Sequence, residues 1–194
     1  MKPFFRLTIA LTMMLSMGAC SKNEKAETVS APVVGAITAT SLDTVAAKAR
    51  GFTVGAVMSA QTIYVLFDPQ CPHCARLWQA SLPLHNSMKF VWIPIAFNAG
   101  KSLPQGAALL SAINPLQAMN EHETALLAGT GGMAASSSVS DDLRQAIVNN
   151  TSLLNALGVE SVPFLIGKNR KTGALISHTG AMDTPALAQL LGLN

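Results

Sequence analysis

Apolar positions along this chain fall into two kinds of pattern. Continuous β-branched and aromatic runs at Gln61–Phe67 and Phe90–Phe97 predict buried strands. A shorter run, Phe52–Val57, predicts a further strand, weakened by Gly51 and Gly55. Pro94 lies inside the second long run and cannot donate to a ladder, so that strand is expected at a sheet edge or a bulge. Phe164–Gly167 and Ala174–His178 predict a hairpin around the polar loop 168–173. Between these runs the spacing turns helical. Ser41 caps a helix to Arg50. Pro72–Ser81 is helical and stops before Pro83. Pro104–Ala128 is helical with a break at Asn114-Pro115. Gly129–Ser138 is a flexible loop. Ser140-Asp141-Asp142 opens a helix to about Gly158, acidic in its first turn, with Asn149-Asn150-Thr151-Ser152 as a point where it would split. Thr184 and Pro185 serve as N-cap and first residue of a last helix to about Leu191. The order strand, helix, strand, helices, hairpin, helix predicts an α/β sandwich around a central mixed sheet.

The N-terminus follows a different rule. Lys2 and Arg6 precede the apolar stretch Leu7–Met17, which is too short to span a bilayer and has the form of a signal-peptide core. It runs into Gly18-Ala19-Cys20. Small residues followed directly by cysteine resemble the lipobox of bacterial lipoproteins, which implies a signal peptide over residues 1–19 and a lipid on Cys20. An ordinary cleaved signal with a stray cysteine is the alternative. Both place the mature protein outside the cytoplasm, where disulfide chemistry persists. Residues 20–40 are Ala-, Ser-, Thr- and Val-rich without a clear period and are expected to be a tether; residues 41–194 are the expected domain. The chain is 49% hydrophobic and 12% charged, which excludes disorder for most of it. Its net charge of +3 drops by two when Lys2 and Arg6 are removed, and no basic stripe points to nucleic acid.

The chemistry is carried by Cys71-Pro72-His73-Cys74. The segment follows a strand and Asp68-Pro69-Gln70, so Cys71 is expected at a helix N-cap with Pro72 in the first turn. There, free N–H groups and the helix dipole lower a thiol pKa. His73 would add a polar, potentially cationic ring. Asp68 would oppose the thiolate if close, or serve only as a turn-former before Pro69. C-x-x-C has other readings. Haem attachment needs His where Ala75 stands. Zinc needs two further ligands, and His85, His122 and His178 lack ligand spacing, so no metal is expected. A structural disulfide closing so short a loop would contribute only about 2 kcal/mol. The three histidines are left as surface or satisfied structural residues, and Trp78 and Trp92 as core or as the rim of a peptide groove.

Tyr64-Val65-Leu66-Phe67-Asp68-Pro69-Gln70-Cys71-Pro72-His73-Cys74 resembles the active-site segment of periplasmic DsbC/DsbG-type thiol:disulfide interchange proteins, and Leu153–Pro163 resembles the stretch leading to their cis-proline. The resemblance covers about residues 41–194. It implies a thioredoxin-like fold with a helical insertion, about residues 100–150, between the second long strand and the cis-Pro hairpin. It implies that Pro163 is the cis-proline against the disulfide, and that Val162 offers its backbone to an incoming peptide. Two features depart from that family. About 20 residues between Cys20 and Ser41 are too few for its N-terminal dimerisation domain, so a monomer is expected. Val162 and His73 match DsbA-type oxidases instead.

These features together predict a thiol:disulfide oxidoreductase with no cofactor. Cys71 exchanges disulfides with cysteine-containing exported proteins, Cys74 resolves the mixed disulfide, and Pro72 and His73 tune the pair. Oxidase and isomerase or reductase directions both stay open. The implied setting is the periplasm, on a lipid anchor, with the outer membrane favoured by Ser21. A membrane redox partner of DsbB or DsbD type completes the cycle. The alternative is a peptide-binding lipoprotein or chaperone with a non-catalytic disulfide, whose Cys71 would titrate near the free-thiol value of about 8.5.

Overall fold

The computed structural model describes residues 36–194. The expected signal segment, Cys20 and most of the expected tether lie outside them. Five strands form one sheet in the order β1-β3-β2-β4-β5, where β1 is Phe52–Gly55, β2 Thr62–Phe67, β3 Lys89–Pro94, β4 Phe164–Lys168 and β5 Leu175–Thr179. Only β2 and β3 run parallel; the other neighbours are antiparallel. Successive residues of a strand face opposite sides. Val65, Leu66 and Phe67 are all fully buried, as are Phe164, Leu165 and Ile166 to within 1%. Both faces of the central strands are therefore covered. The covering helices are α1 (Ala39–Lys48), α2 (Pro72–Ser81), α3 (Ser102–Leu110), α4 (Pro115–Leu127), α5 (Asp141–Ala156) and α6 (Thr184–Leu191). Helix α2 packs against α4 and α6, and α5 packs against α1, α3 and β3.

Three expectations are corrected by the structure. First, β3 is neither an edge nor bulged, despite Pro94. In the β1–β3 register Phe52 faces Trp92, so the next pair of that type would be Arg50 with Pro94. Pro94 cannot donate to Arg50. Asn150 of α5 supplies the missing groups. Its Nδ2 donates to the Arg50 and Pro94 carbonyls at 2.8 and 2.9 Å, and its Oδ1 accepts from the Arg50 N–H at 3.0 Å. Second, the run 149–152 does not split α5. Asn150 is spent on that ladder end, and Thr151 accepts from the Ala96 N–H at 3.0 Å while bonding back to the Ile147 carbonyl. Third, two caps shift. Thr38 caps α1 and forms a reciprocal capping box with Ser41 at N3, and Asp183 rather than Thr184 caps α6. Helix α1 thus begins at Ala39, inside the expected tether.

Candidate active site around Cys71 and Cys74

The end of β2 and the start of α2 place the two sulfurs. Phe67 is followed by Asp68-Pro69-Gln70, and the Cys71 N–H donates to the Asp68 carbonyl at 2.9 Å. Cys71 is the N-cap, with extended dihedrals and no side-chain cap bond, and Pro72 is the first helical residue. One turn on, Cys74 is fully buried, while Pro72 and His73 are exposed. Opposite the helix start, the Val162–Pro163 bond is cis, and the Val162 carbonyl lies 3.6 Å from Cys71 Sγ. Cys71, Cys74, Val162 and Pro163 are thus brought together; Cys20 lies outside the described residues. Both cysteines are free thiols.

The two sulfurs differ in their preference for charge. Cys71 is lowered from 9.0 to about 6, first by the S–H of Cys74 donating to its sulfur. Burial opposes this, and the backbone N–H groups of Cys74 and His73 assist it. The charge of His73 lowers the pKa too, but is the smallest of these causes. Cys74 is pushed well above 9.0 by burial, by its bond to Cys71 and by the Cys71 charge. One proton is therefore held on the inner sulfur and none on the outer one near neutral pH, a coupled pair.

Asp68 does more than form a turn. Buried to 4% exposure, it accepts from the Gln70 N–H (2.8 Å), the Phe97 N–H (2.7 Å) and the Ser102 hydroxyl (2.6 Å). It ties the ends of β2 and β3 to the start of α3. A second network lies behind it. Gln70 donates to Gln105 and to the Gly131 carbonyl, and Gln105 donates to the carbonyls of Gly131 and Met133. His122 of α4 is fully buried, bonding the Pro69 carbonyl through Nε2 at 2.7 Å and accepting from the Met133 N–H at Nδ1 (3.1 Å). That pattern is one neutral tautomer, and burial lowers its pKa. It is a satisfied structural histidine. The loop expected to be flexible is in this way held at Gly131–Met133 by three side chains. Gly132, at φ +80°, lies so close that a Cβ would meet the His122 ring. Trp78 and Trp92 are core residues, 1% and 0% exposed.

One group was missed in the sequence. Glu123 is 1% exposed, and neither carboxylate oxygen has a hydrogen-bond partner among the described residues. Its pKa is raised to about 9 by burial, then by the Cys71 charge, then by Asp68. Met119, His122 and Glu123 share the inward face of α4 at i, i+3 and i+4. A glutamate at a core position of that spacing was the available signal.

In front of the sulfurs lies a groove of about 410 Å³ lined by Gln70, Cys71, Phe97, Asn98, Ser161 and Val162, among others. Phe97 at its rim is 52% exposed.

No protein-family model matches the sequence. The chain is 26% identical over 140 residues to the thiol:disulfide interchange protein DsbG of Pseudomonas aeruginosa, covering 71% of this chain and 54% of that protein. It is 25% identical over 132 residues to DsbG of Escherichia coli, covering 67% and 52%. The chain spans about half the length of these relatives. A periplasmic thioredoxin-like protein from Salmonella enterica serovar Typhimurium superimposes with a TM-score of 0.60 at 16% identity, over 80% of this chain and 95% of that one. The fold is thioredoxin-like, as the resemblance implied.

Proposed function

We propose that this protein is an extracytoplasmic thiol:disulfide oxidoreductase. The observation that carries the reading is the contrast between an outer thiol lowered to about 6 and an inner, buried thiol held protonated one turn away. A thiolate nucleophile at the mouth and a resolving thiol behind it are the two parts that disulfide exchange requires. The resemblance to DsbG proteins supports the same reading. A substrate cysteine enters the groove and its peptide pairs with the Val162 backbone as a short added strand. The Cys71 thiolate attacks the substrate's disulfide, forms a mixed disulfide with one of its sulfurs and releases the other as a thiolate. Cys74 then displaces the bound substrate sulfur, leaving the Cys71–Cys74 disulfide and a reduced substrate; the reverse sequence oxidises the substrate. A thiolate stabilised only in the dithiol form makes the disulfide form the better oxidant, so the oxidising direction is favoured. The substrates are exported proteins with cysteines, and a membrane protein of DsbB or DsbD type resets the pair.

The reading extends to the N-terminus. Residues 1–19 are a signal peptide, Cys20 carries a lipid, and the anchored protein acts as a monomer in the periplasm, with the outer membrane as the favoured site. Mass spectrometry of the mature N-terminus tests the anchor: the expected species is a lipid-modified Cys20, and an unmodified mature chain starting elsewhere overturns it.

For the central reading, the test is a trapping experiment. Cys74→Ser is incubated with a disulfide-containing unfolded protein. The expected product is a stable mixed disulfide through Cys71 that disappears in Cys71→Ser. Equal exchange by Cys71→Ser overturns the reading and leaves a peptide-binding protein with a non-catalytic cysteine pair.

A further inference from the structure

Two cavities flank the cis-proline. The groove already described is lined by Phe97, Asn98, Glu160 and Ser161 beside Cys71 and Val162. A second cavity, of about 510 Å³, lies against α2 and is lined by Arg76, Gln79, Met182 and Asp183, among others. Glu160 and Ser161 lead into the Val162–Pro163 bond from the first side. The Pro163 carbonyl accepts from the Gly180 N–H at 2.8 Å, which sets the turn 180–183 on the other side. Thr184 ties that turn to α2 by donating to the Ala80 carbonyl at 2.8 Å. Each cavity has an apolar wall, Phe97 in one and Met182 in the other, and an exposed side chain of opposite charge, Glu160 and Arg76. Neither charge is neutralised: the only ion pair among the described residues joins Arg50 to Asp142. The other carboxylates of the two walls are committed elsewhere. Asp68 accepts its three hydrogen bonds, and Asp183 accepts from the Ala186 N–H at the start of α6. His178 shares a neighbouring cavity with Glu160 and makes no ion pair with it. His73, exposed on α2, stands on the Arg76 helix and adds to its positive side when protonated.

We infer that Arg76 and Glu160 select substrates by the order of their charges: the site takes an extended segment with an acidic residue two positions before the reacting cysteine and a basic residue two positions after it. The inference rests on the proposed exchange activity. In that activity the peptide is a strand added to the Val162 backbone, and antiparallel pairing is the more stable kind per residue. A strand antiparallel to residues 160–162 enters past the turn 180–183 and leaves past Glu160. Side chains alternate along a strand, so positions i−2, i and i+2 share one face. With the reacting cysteine turned toward Cys71, the residues two before and two after it also face the protein, roughly 7 Å to either side. The earlier one arrives at the Arg76 cavity and the later one at the Glu160 end of the groove. A guanidinium takes a carboxylate through two parallel N–H bonds, and Glu160 accepts from a lysine or arginine. The bond-making step is unchanged. The Cys71 thiolate attacks the peptide sulfur, a new S–S bond forms as the substrate's own breaks, and the departing sulfur keeps that bond's electron pair. The two charges act on which peptide is seated, and in which direction.

The experiment uses the full protein carrying Cys74→Ser, so that Cys71 reacts once and the product stays. Two heptapeptides of one composition, blocked at both ends, place a glutamate two positions before a central cysteine and a lysine two positions after it, or the reverse. The cysteine is presented as its 2-thiopyridyl disulfide. Cys71 takes the peptide sulfur, and the released pyridine-2-thione is followed by its absorbance. Each rate is divided by that of the same peptide with 2-mercaptoethanol, a neutral thiol, which removes differences in the peptides' own reactivity. At low salt the glutamate-first peptide is expected to react about tenfold faster, since each exposed charge pair contributes a few-fold at most. In about 1 M salt, where the screening length is about 3 Å, the ratio should approach one. Arg76→Glu combined with Glu160→Lys should invert the low-salt ratio. Whatever those substitutions do to the Cys71 thiolate changes both rates alike and drops out of the ratio. Equal rates before the two charges are exchanged, a preference for the lysine-first peptide, or a ratio that the exchange leaves unmoved overturns the inference. The low-salt ratio and its loss in salt decide by themselves if the charge-exchanged variant folds poorly. Failure to form a mixed disulfide with either peptide overturns the proposed activity as well, whereas equal reaction with both overturns this inference alone.

Discussion

Asp68 and Glu123 are buried carboxyls beside the same helix start, 4% and 1% exposed, and the fold treats them in opposite ways. Asp68, at the junction of β2 and α2, is met by two backbone N–H groups and a hydroxyl. Glu123, on the inward face of α4, is met by nothing among the described residues. Burial is nearly equal, so burial does not separate them. What separates them is whether the surrounding backbone has donors to spare. Strand ends and helix starts leave N–H groups unpaired, and a carboxylate placed there is solvated by the protein. The middle of a helix has no spare N–H groups, and a carboxyl facing inward from it keeps its proton instead. The β2–α2 junction therefore meets its buried carboxyl with three donors. The middle of α4 meets its own with none among the described residues.

Three substitutions can break or sharpen this contrast. The largest effect is expected from Asp68→Ala, which strands the Gln70 N–H, the Phe97 N–H and the Ser102 hydroxyl. Urea unfolding should show a loss of about 4 kcal/mol, with Asp68→Asn losing about half of that because one acceptor survives. A loss under about 1 kcal/mol would mean that water in the groove replaces the carboxylate, and the contrast would collapse.

Glu123→Gln comes next, with the opposite sign. In the folded dithiol protein Glu123 is pushed up to about 9 by burial, against an ordinary value of 4.5. The folded state then binds one proton more than the unfolded chain throughout that window. Stability from this group is full below 4.5 and falls as pH rises, by about 1.4 kcal/mol per pH unit. Between pH 6 and 8 the variant should gain about 3 kcal/mol on wild type in chemical denaturation of the reduced proteins. Equal pH slopes for the two would show that Glu123 finds a partner in solution.

The smallest effects concern the outer sulfur. Alkylation of wild type should follow a thiolate that titrates at about 6. Cys74→Ala should move that inflection upward, since the Cys74 S–H is the main cause of the lowering, and His73→Ala should move it upward by less. A larger shift in His73→Ala than in Cys74→Ala would reverse the order of causes.

The same contrast explains what could be read in the sequence. The redox helix was legible from Pro72 to Ser81, because a proline at the first position and a cysteine before it leave little choice of frame. The strands were legible from their β-branched and aromatic runs. Pro94 misled because the rule for prolines assumes that only another strand can complete a ladder, while here a side chain from α5 does so across 56 positions in sequence. Thr38 and Asp183 were passed over for the equally good cap residues Ser41 and Thr184, which local chemistry alone cannot rank. The charge of His73 is visible in a sequence and ranks last among the causes that lower Cys71, whereas the Cys74 S–H aimed at the neighbouring sulfur ranks first and is not visible there. Glu123 escaped notice since a glutamate in a helix of mixed composition is nearly always a solvated one.

The chain has only two tryptophans, and they meet. Trp78, on the redox helix, stands edge-on to Trp92 of β3 with ring centroids 5.1 Å apart. Nearly all of the protein's intrinsic fluorescence and much of its near-ultraviolet dichroism must therefore arise at one seam, between the helix that carries the cysteines and the sheet beneath it. An optical trace will follow the opening of that seam closely. It will be almost blind to the fraying of α1 or α6, and a melting curve recorded this way describes the neighbourhood of the sulfurs before it describes the molecule.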